Sequence, residues 1–482
     1  MLSLSLATLK ELKDFTGPLA LFAFAEGGLA GVTALPAATR KAVLEQAKDE
    51  GFTGKQGETV SFRLADGRRY IVTGLGKRKD FAGETLRRSA GKLYQTASRF
   101  ASIWVIPFDD PAAAAEGLLL ASHTFTKYAD KAKEHKLKEV RFLVQGAADR
   151  RRIEKGLAKA SRHAAAVTYA RDLVNTAPSD KSPESIAKLA KELTGSGITL
   201  QVIDQAEARR LGMGSFLGVG RGSAKPSCML HLKYKPKSGP IKKRIALVGK
   251  GVLFDSGGLS LKPPQSLETM KSDMAGAAAV LGVFKVLAAL QVRAEVHGIT
   301  PLTYNMPGCD AMKPGDVLKA MNGKTIEVLN TDAEGRLILA DALAYAAKQK
   351  FDLMIDLATL TGAAVVALGG SVTAAMTNSK AALTRLQAAA KRSGEQIWEL
   401  PLVKDYQAHL KSKVADIQNI GSVRGAAGTI TAGLFLEEFV DERPWIHLDI
   451  AGPAWTGDGT DYCPPGGTGA MVRTLLDYLE AL

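Results

Sequence analysis

A chain of 482 residues is long for one hydrophobic core, so two domains are the expectation. With 46% hydrophobic and 23% charged residues it has the make-up of an ordinary soluble globular protein, not of a disordered or fibrous one. The net charge of +14 is spread along the chain: 23 basic and 17 acidic side chains in residues 1–150 leave +6 there and +8 in the remainder, so no charged tail stands out.

Cys228, Cys309 and Cys463 are far apart and odd in number, which suits a reducing cytosol and gives no Cys-X-X-Cys metal site. The seven histidines show no His-Glu-X-X-His pairing, so a metal here needs other ligands. No run reaches membrane-spanning length, and Lys10 and Lys13 with their acidic neighbours come too early for a signal peptide. The expected location is the cytoplasm.

In the first 150 residues, segments 19–27, 59–67, 68–76, 101–108 and 139–146 read as strands. Segments 37–50, 83–99 and 112–121 read as helices. This is an α/β domain without a catalytic constellation. The basic turn Lys77-Arg78-Lys79 after Gly76 and the lysines over 127–138 read as solvated surface, the latter on a helical face. Residues 151–175 read as one long connecting helix that ends before Pro178, since the residue before proline is pushed out of helix. His163 on its alanine face is expected to pack. Residues 176–482 then alternate helices with apolar strand-like runs, among them CMLHLKYKP, KRIALVGKG, VRAEVHGITPL, KTIEVLN, FDLMIDLATL and WIHLDIAG. Continuous apolar runs mark strands buried on both faces. The predicted fold is therefore α/β in two domains, with a smaller N-terminal domain. The larger C-terminal domain holds a mixed, mostly parallel sheet covered by helices.

Two stretches carry the chemistry. In NTDAEGRLILADALAYAA, starting at Asn330, Asp332, Glu334 and Arg336 are alternate residues between a strand and a helix. If extended there, they point the same way and bring two carboxylates and a guanidinium to the edge of the sheet. Read alone, the stretch is also a helix start, with Asp332 as N-cap and Glu334 favouring the dipole. In the second stretch, Lys250 stands at a strand end between Gly249 and Gly251, Asp255 follows at an Asp-Ser-Gly-Gly turn, and Asp273 precedes an Ala-, Val- and Leu-rich helix. Four carboxylates match two divalent cations if Lys250 is a neutral nitrogen ligand, since burial and adjacent cations depress a lysine pKa. Such a pair of metals clamps a water, makes it a hydroxide near neutral pH and polarises a carbonyl or phosphoryl oxygen. Lys262 and Arg336 remain as cations suited to developing negative charge.

VGKGVLFDSGGLSLKP, MKSDMAGAAAV and NTDAEGRLILADAL closely resemble the signatures of the leucyl aminopeptidase family of two-metal exopeptidases, and the resemblance runs from RDLVNTAP (171–178) to WIHLDIAGPAW (445–455). It implies one metal on Lys250, Asp255, Asp273 and Glu334. It implies a second on Asp255, Glu334 and both the side chain and backbone carbonyl of Asp332. Zinc or manganese is the expected ion. Lys262 would stabilise the gem-diolate, Arg336 would hold a bicarbonate as general base, and Met270, Thr359, Gly362 and Ala451 would line the pocket for the first side chain. The implied activity is removal of the N-terminal residue, leucine-like by preference, from peptide substrates by a homohexamer whose sites face an internal cavity. The chain departs from the family pattern at Tyr304, where an acidic residue is usual, at Ala275, where glycine is common, and in Pro307-Gly308-Cys309. A DNA-binding or architectural role is the alternative, motivated by the positive charge and by some bacterial relatives that do both; a phosphoesterase on the same metals is disfavoured by the missing histidines.

Overall fold

A computed structural model describes residues 2–31, 35–129, 135–423 and 425–482. The chain divides into two compact units, Met1–Ala165 with Gly457–Pro465, and Ala166–Thr456 with Gly466–Leu482. The boundary falls inside one continuous helix, Ala147–Asn175.

The first unit holds a sheet in the order Ser3–Thr8, Glu139–Val144, Ser102–Val105, Leu19–Ala23, Arg69–Gly74, Thr59–Arg63, with Leu29–Ala30 paired to Leu19–Ala23. Its inner strands are parallel. Successive strand side chains point to opposite faces. Accordingly Ala20 and Phe22 enter one core cluster while Leu19, Leu21 and Ala23 enter the other. Every predicted strand of this unit is present within its segment; the strand Ser3–Thr8 was not foreseen. His163 does more than pack: its Nδ1 lies 2.9 Å from Glu116, which also takes Arg87 at 2.8 Å, a buried ionic group. Of the basic stretch 127–138, residues 130–134 lie outside the described residues, and the helix Pro111–Ala121 ends before it. The basic residues of 68–79 have local work. Arg68 donates to the carbonyls of Leu12 and Phe15, Arg69 to Ser61, and Arg78 lies 4.2 Å over the Phe24 ring.

The second unit is built on a nine-stranded sheet. Its order is Gln396–Glu399, Val372–Thr377, Trp445–Asp449, Leu353–Ala358, Lys243–Gly249, Ala294–Asn305, Cys228–Tyr234, Ile198–Ile203, with Gly251–Asp255 beside the far end of Ala294–Asn305. Five pairings are parallel. The three antiparallel ones involve Cys228–Tyr234 twice and Val372–Thr377 once. All twelve residues of Ala294–Asn305 are buried, as a central strand covered on both faces requires. KTIEVL differs from expectation: only Thr325–Glu327 is strand, and it belongs to a separate three-stranded sheet with Val317–Lys319 and Ile417–Gln418. Three residues cannot reach across the large sheet, so the Asp332 loop is delivered from beside it. Among the described residues one stretch, Pro264–Leu290, is long and apolar enough to cross a membrane by length and composition, contrary to the expectation from the sequence. Its apolar window is 78% buried inside the fold, where the helix Ala275–Leu290 covers the sheet.

Candidate active site

Lys250 follows the strand Lys243–Gly249, and its backbone is held on both sides: its N–H donates to Leu357 O and its carbonyl accepts from Ala277 N. The helix Ala275–Leu290 therefore starts hard against the strand ends, and a Cβ on Gly276 would lie 2.1 Å from the Leu357 carbonyl oxygen. That close approach aims Lys250 into the site. Asp255 ends the strand Gly251–Asp255, and Asp273 follows the 3-10 turn Met270–Ser272. Asp332 lies in the loop before the helix Glu334–Ala347, and Glu334 opens that helix. Neither Asp273 nor Asp332 caps a helix; the N-cap positions are Met274 and Ala333, without side-chain hydrogen bonds. The ordinary helix-start reading therefore loses its support, because the acidic groups serve something other than helix ends. Asp332, Glu334 and Arg336 are not alternate residues of an extended segment either. Glu334 and Arg336 share the first helical turn.

The structure brings seven of the expected residues together. Lys250 Nζ lies 2.6 Å from Asp273 Oδ1 and 2.8 Å from Glu334 Oε1, and donates to Thr359 O at 2.9 Å. Lys262 Nζ lies 2.9 Å from Asp255 Oδ2 and 2.5 Å from Asp332 Oδ1. Carboxylate oxygens of Asp255, Asp273 and Glu334 come within 4.8 Å of one another. Arg336 is buried but turns aside, donating from Nη1 to Asn419 O at 2.7 Å. Among the pocket residues, Thr359 is closest to the chemistry, its hydroxyl donating to Asp273 Oδ1 at 2.7 Å. Asp449 ties the segment of Gly362 to that of Ala451, accepting from Leu360 N, Thr361 Oγ1 and Ala451 N. Met270 opens the turn that leads to Asp273.

Three residues matter that sequence reasoning left out of the site. Asn305 Nδ2 donates to Asp255 Oδ1 at 2.8 Å and to Thr331 O at 3.0 Å. Thr331 Oγ1 donates to Gly257 O at 2.6 Å and accepts from Ser260 N at 2.8 Å. These bonds join the Asp255–Lys262 loop to the Asp332 loop. A polar residue closing a strand that is buried throughout was the signal for Asn305. Gly335 is the third: a Cβ there would sit 2.6 Å from Lys250 Cε, so the lysine lies in the groove the glycine leaves.

Burial and neighbouring charge pull against each other throughout. Burial pushes Asp273 well above the ordinary carboxylate value despite Lys250, and pushes Asp255 up to about 6 with help from the charge on Glu334. Glu334 is the exception: burial would raise it, but Lys250 and Lys262 together hold it below the usual value. By sequence, Lys250 can be neutral beside adjacent cations. With protein groups alone, burial depresses it but Asp273, Glu334 and Asp255 outweigh that and keep it charged. Its ammonium thus sits among carboxylates as a cation does, and only added positive charge would release its proton. Burial draws Arg336 down to about 10. Asp273 Oδ2 and Glu334 Oε2 are buried without a hydrogen-bond partner, which is costly for carboxylate oxygens unless a cation takes them. The donor set is one of oxygens and one amine, and it fits hard divalent ions.

A sheet-edge cluster of four carboxylates with two lysines, two of its buried oxygens without a partner, has the make-up that metal-dependent hydrolysis calls for. The cytosol aminopeptidase family accounts for nearly the whole chain, its catalytic-domain model matching residues 168–476 and its N-terminal-domain model residues 20–132. A probable cytosol aminopeptidase of Microcystis aeruginosa is 43% identical over 89% of this chain and 89% of its own length. That of Aquifex aeolicus is 40% identical over 97% and 96%. Among solved structures, a mutant of tomato leucine aminopeptidase superposes with a TM-score of 0.89 at 33% identity, covering 100% of this chain and 97% of that one. The bottromycin maturation enzyme BotP in complex with Mn gives 0.85 at 34% identity over 97% and 99%. The chain belongs to the cytosol aminopeptidase family and is a metal-dependent aminopeptidase, a hydrolase acting on peptides.

Proposed function

We propose that the chain removes leucine-like N-terminal residues from peptides with two divalent cations, zinc or manganese. Lys250, Asp255, Asp273 and Glu334 hold one ion; Asp255, Asp332 and Glu334 hold the other. The observation that carries this reading is the pair of buried, unpartnered oxygens, Asp273 Oδ2 and Glu334 Oε2, beside a lysine ammonium. Bound there, the two cations supply the Lewis acidity that activates a water and polarises the scissile carbonyl. Lys262, now 2.9 Å from Asp255 Oδ2 and 2.5 Å from Asp332 Oδ1, would place its charge by the scissile carbonyl oxygen, where negative charge builds. Arg336, whose buried Nε has no hydrogen-bond partner, would hold a bicarbonate, which would supply a general base at the site. Met270, Thr359, Gly362 and Ala451 surround the first side chain, and the substrate's free α-amine restricts cleavage to one residue. A homohexamer in the cytoplasm is the expected form. The names of the relatives support the location, and the complex of the related BotP enzyme with Mn supports manganese.

The test is hydrolysis of leucine p-nitroanilide with and without added Mn2+, beside Glu334→Ala. Release that rises with manganese, vanishes with a chelator and is absent in the variant is expected. Release indifferent to both chelator and variant sinks the proposal.

A further inference from the structure

Tyr304, one of the departures from the family pattern, has a definite use. Its hydroxyl is shared between the carbonyl oxygens of Pro178, at 3.0 Å, and Lys181. It thereby pins the short segment that carries Lys181. Lys181 is itself only 3% exposed, and its ammonium donates to Leu173 O at 3.3 Å, Val174 O at 3.3 Å and Lys271 O at 2.9 Å. An ammonium has three protons, so it can donate to all three carbonyls at once. Two of the carbonyls belong to the last turn of Ala147–Asn175, where helix carbonyls lack partners and the dipole favours a cation. A lysine serving only as a helix cap would stop there.

The third bond goes elsewhere, to the turn Met270–Ser272 that delivers Asp273. Lys271 returns the connection: its Nζ donates to Asn175 O at 3.2 Å and lies 5.4 Å from the centre of the Trp455 ring. Two lysines running in opposite directions thus strap the turn to the end of the helix. Within the turn itself the backbone bonds are short-range, Asp273 N to Met270 O at 3.3 Å with Ser272 Oγ to Thr269 O at 2.6 Å; the Asp273 side chain is held by Lys250 and Thr359, and the helix after it has no side-chain cap.

We propose that Lys181, seated by Tyr304, is a positioning residue for the reaction: it fixes the Met270–Ser272 turn and through it the Asp273 carboxylate and the Met270 wall of the pocket. This rests on the reading of Asp273 as a metal ligand given above. The test titrates the purified full-length protein with Mn2+, reading free ion by electron paramagnetic resonance, and follows melting by calorimetry. Lys181→Met keeps the length and removes the donors. It is expected to weaken one manganese site about tenfold, the lower end of the loss seen when groups supporting a metal ligand are removed. Tyr304→Phe weakens the same site less and guards against misfolding of the lysine variant. Lys188→Met, exposed on the neighbouring helix, binds manganese like the wild type. Wild-type manganese affinity in folded Lys181→Met, or in Tyr304→Phe if the former does not fold, overturns the proposal. Asp273→Asn separates the two ideas. If it loses a site while Lys181→Met loses nothing, only the strap is wrong; if it keeps both sites, the ligand reading fails and takes the strap with it.

Discussion

Gly335→Ala places a methyl group where the structure has room for none. The new Cβ would lie 2.6 Å from Lys250 Cε and 2.7 Å from its Nζ, against an ordinary carbon contact of about 3.5–4.0 Å. The lysine tip must withdraw by roughly 1 Å. Its present bonds, 2.6 Å to Asp273, 2.8 Å to Glu334 and 2.9 Å to Thr359 O, then pass the ~3.2 Å limit of a useful hydrogen bond. Bonds to charged groups contribute about 1.5–3 kcal/mol each, whereas alanine gains about 1 kcal/mol over glycine inside a helix. One lost bond is enough to cancel the helical gain, so stability changes little or falls. Activity responds more strongly, because a ~1 Å misplacement near reacting groups costs on the order of a hundredfold. The assay is kcat/KM for leucine p-nitroanilide at saturating Mn2+, with calorimetric melting beside it. A folded Gly335→Ala protein of wild-type kcat/KM would falsify the claim that Lys250 is held by contact with this glycine.

Thr359→Val removes the hydroxyl on Asp273 Oδ1 and leaves the carbonyl on Lys250. Affinity for Mn2+ by titration calorimetry and kcat/KM should both fall about tenfold, and unchanged values would assign Thr359 to the pocket wall alone. A pH effect comes from the pair His231–His297, whose ring nitrogens share a 2.7 Å hydrogen bond in a chain that ends on Glu295, and which burial pushes down to about 4 each. Between pH 4 and 6.5 the unfolded chain binds protons that the folded one does not, so stability is full above 6.5 and is lost as pH falls toward 4, by up to ~1.4 kcal/mol per pH unit for each ring. Urea midpoints measured across that range should slope upward with pH, and His231→Asn should flatten the slope; a parallel variant curve contradicts the assignment.

The apolar runs made the strands legible. ALVG, MIDLA and IHLDI could only be buried strands, and each lies in the large sheet. KTIEVL failed because a short alternating run says nothing about which sheet it joins; its partner Ile417–Gln418 lies about ninety residues further along the chain, in register with Ile326 and Glu327 and beyond any local pattern. In the site, the ligand-type residues were readable from spacing and motif, but their grouping was credited to an extended segment that is in fact a loop and a helical turn. Asn305, Thr331 and Lys181 were harder, since each acts through a carbonyl or carboxylate supplied by a distant stretch. A lysine ahead of Ser-Pro reads as surface until the helix end that buries it is seen. The charge state of Lys250 was also beyond sequence, because it depends on how three carboxylates are counted against burial at one point.

The bonds that join the Asp255–Lys262 loop to the Asp332 loop span more than seventy residues of chain. Contacts so distant along a polypeptide close late, after the intervening loops have lost their entropy. Until Asn305 reaches both partners, the carboxylates of the two loops remain apart and have no common place to hold an ion. Anything that depends on those carboxylates meeting must therefore wait for distant parts of the chain to pair.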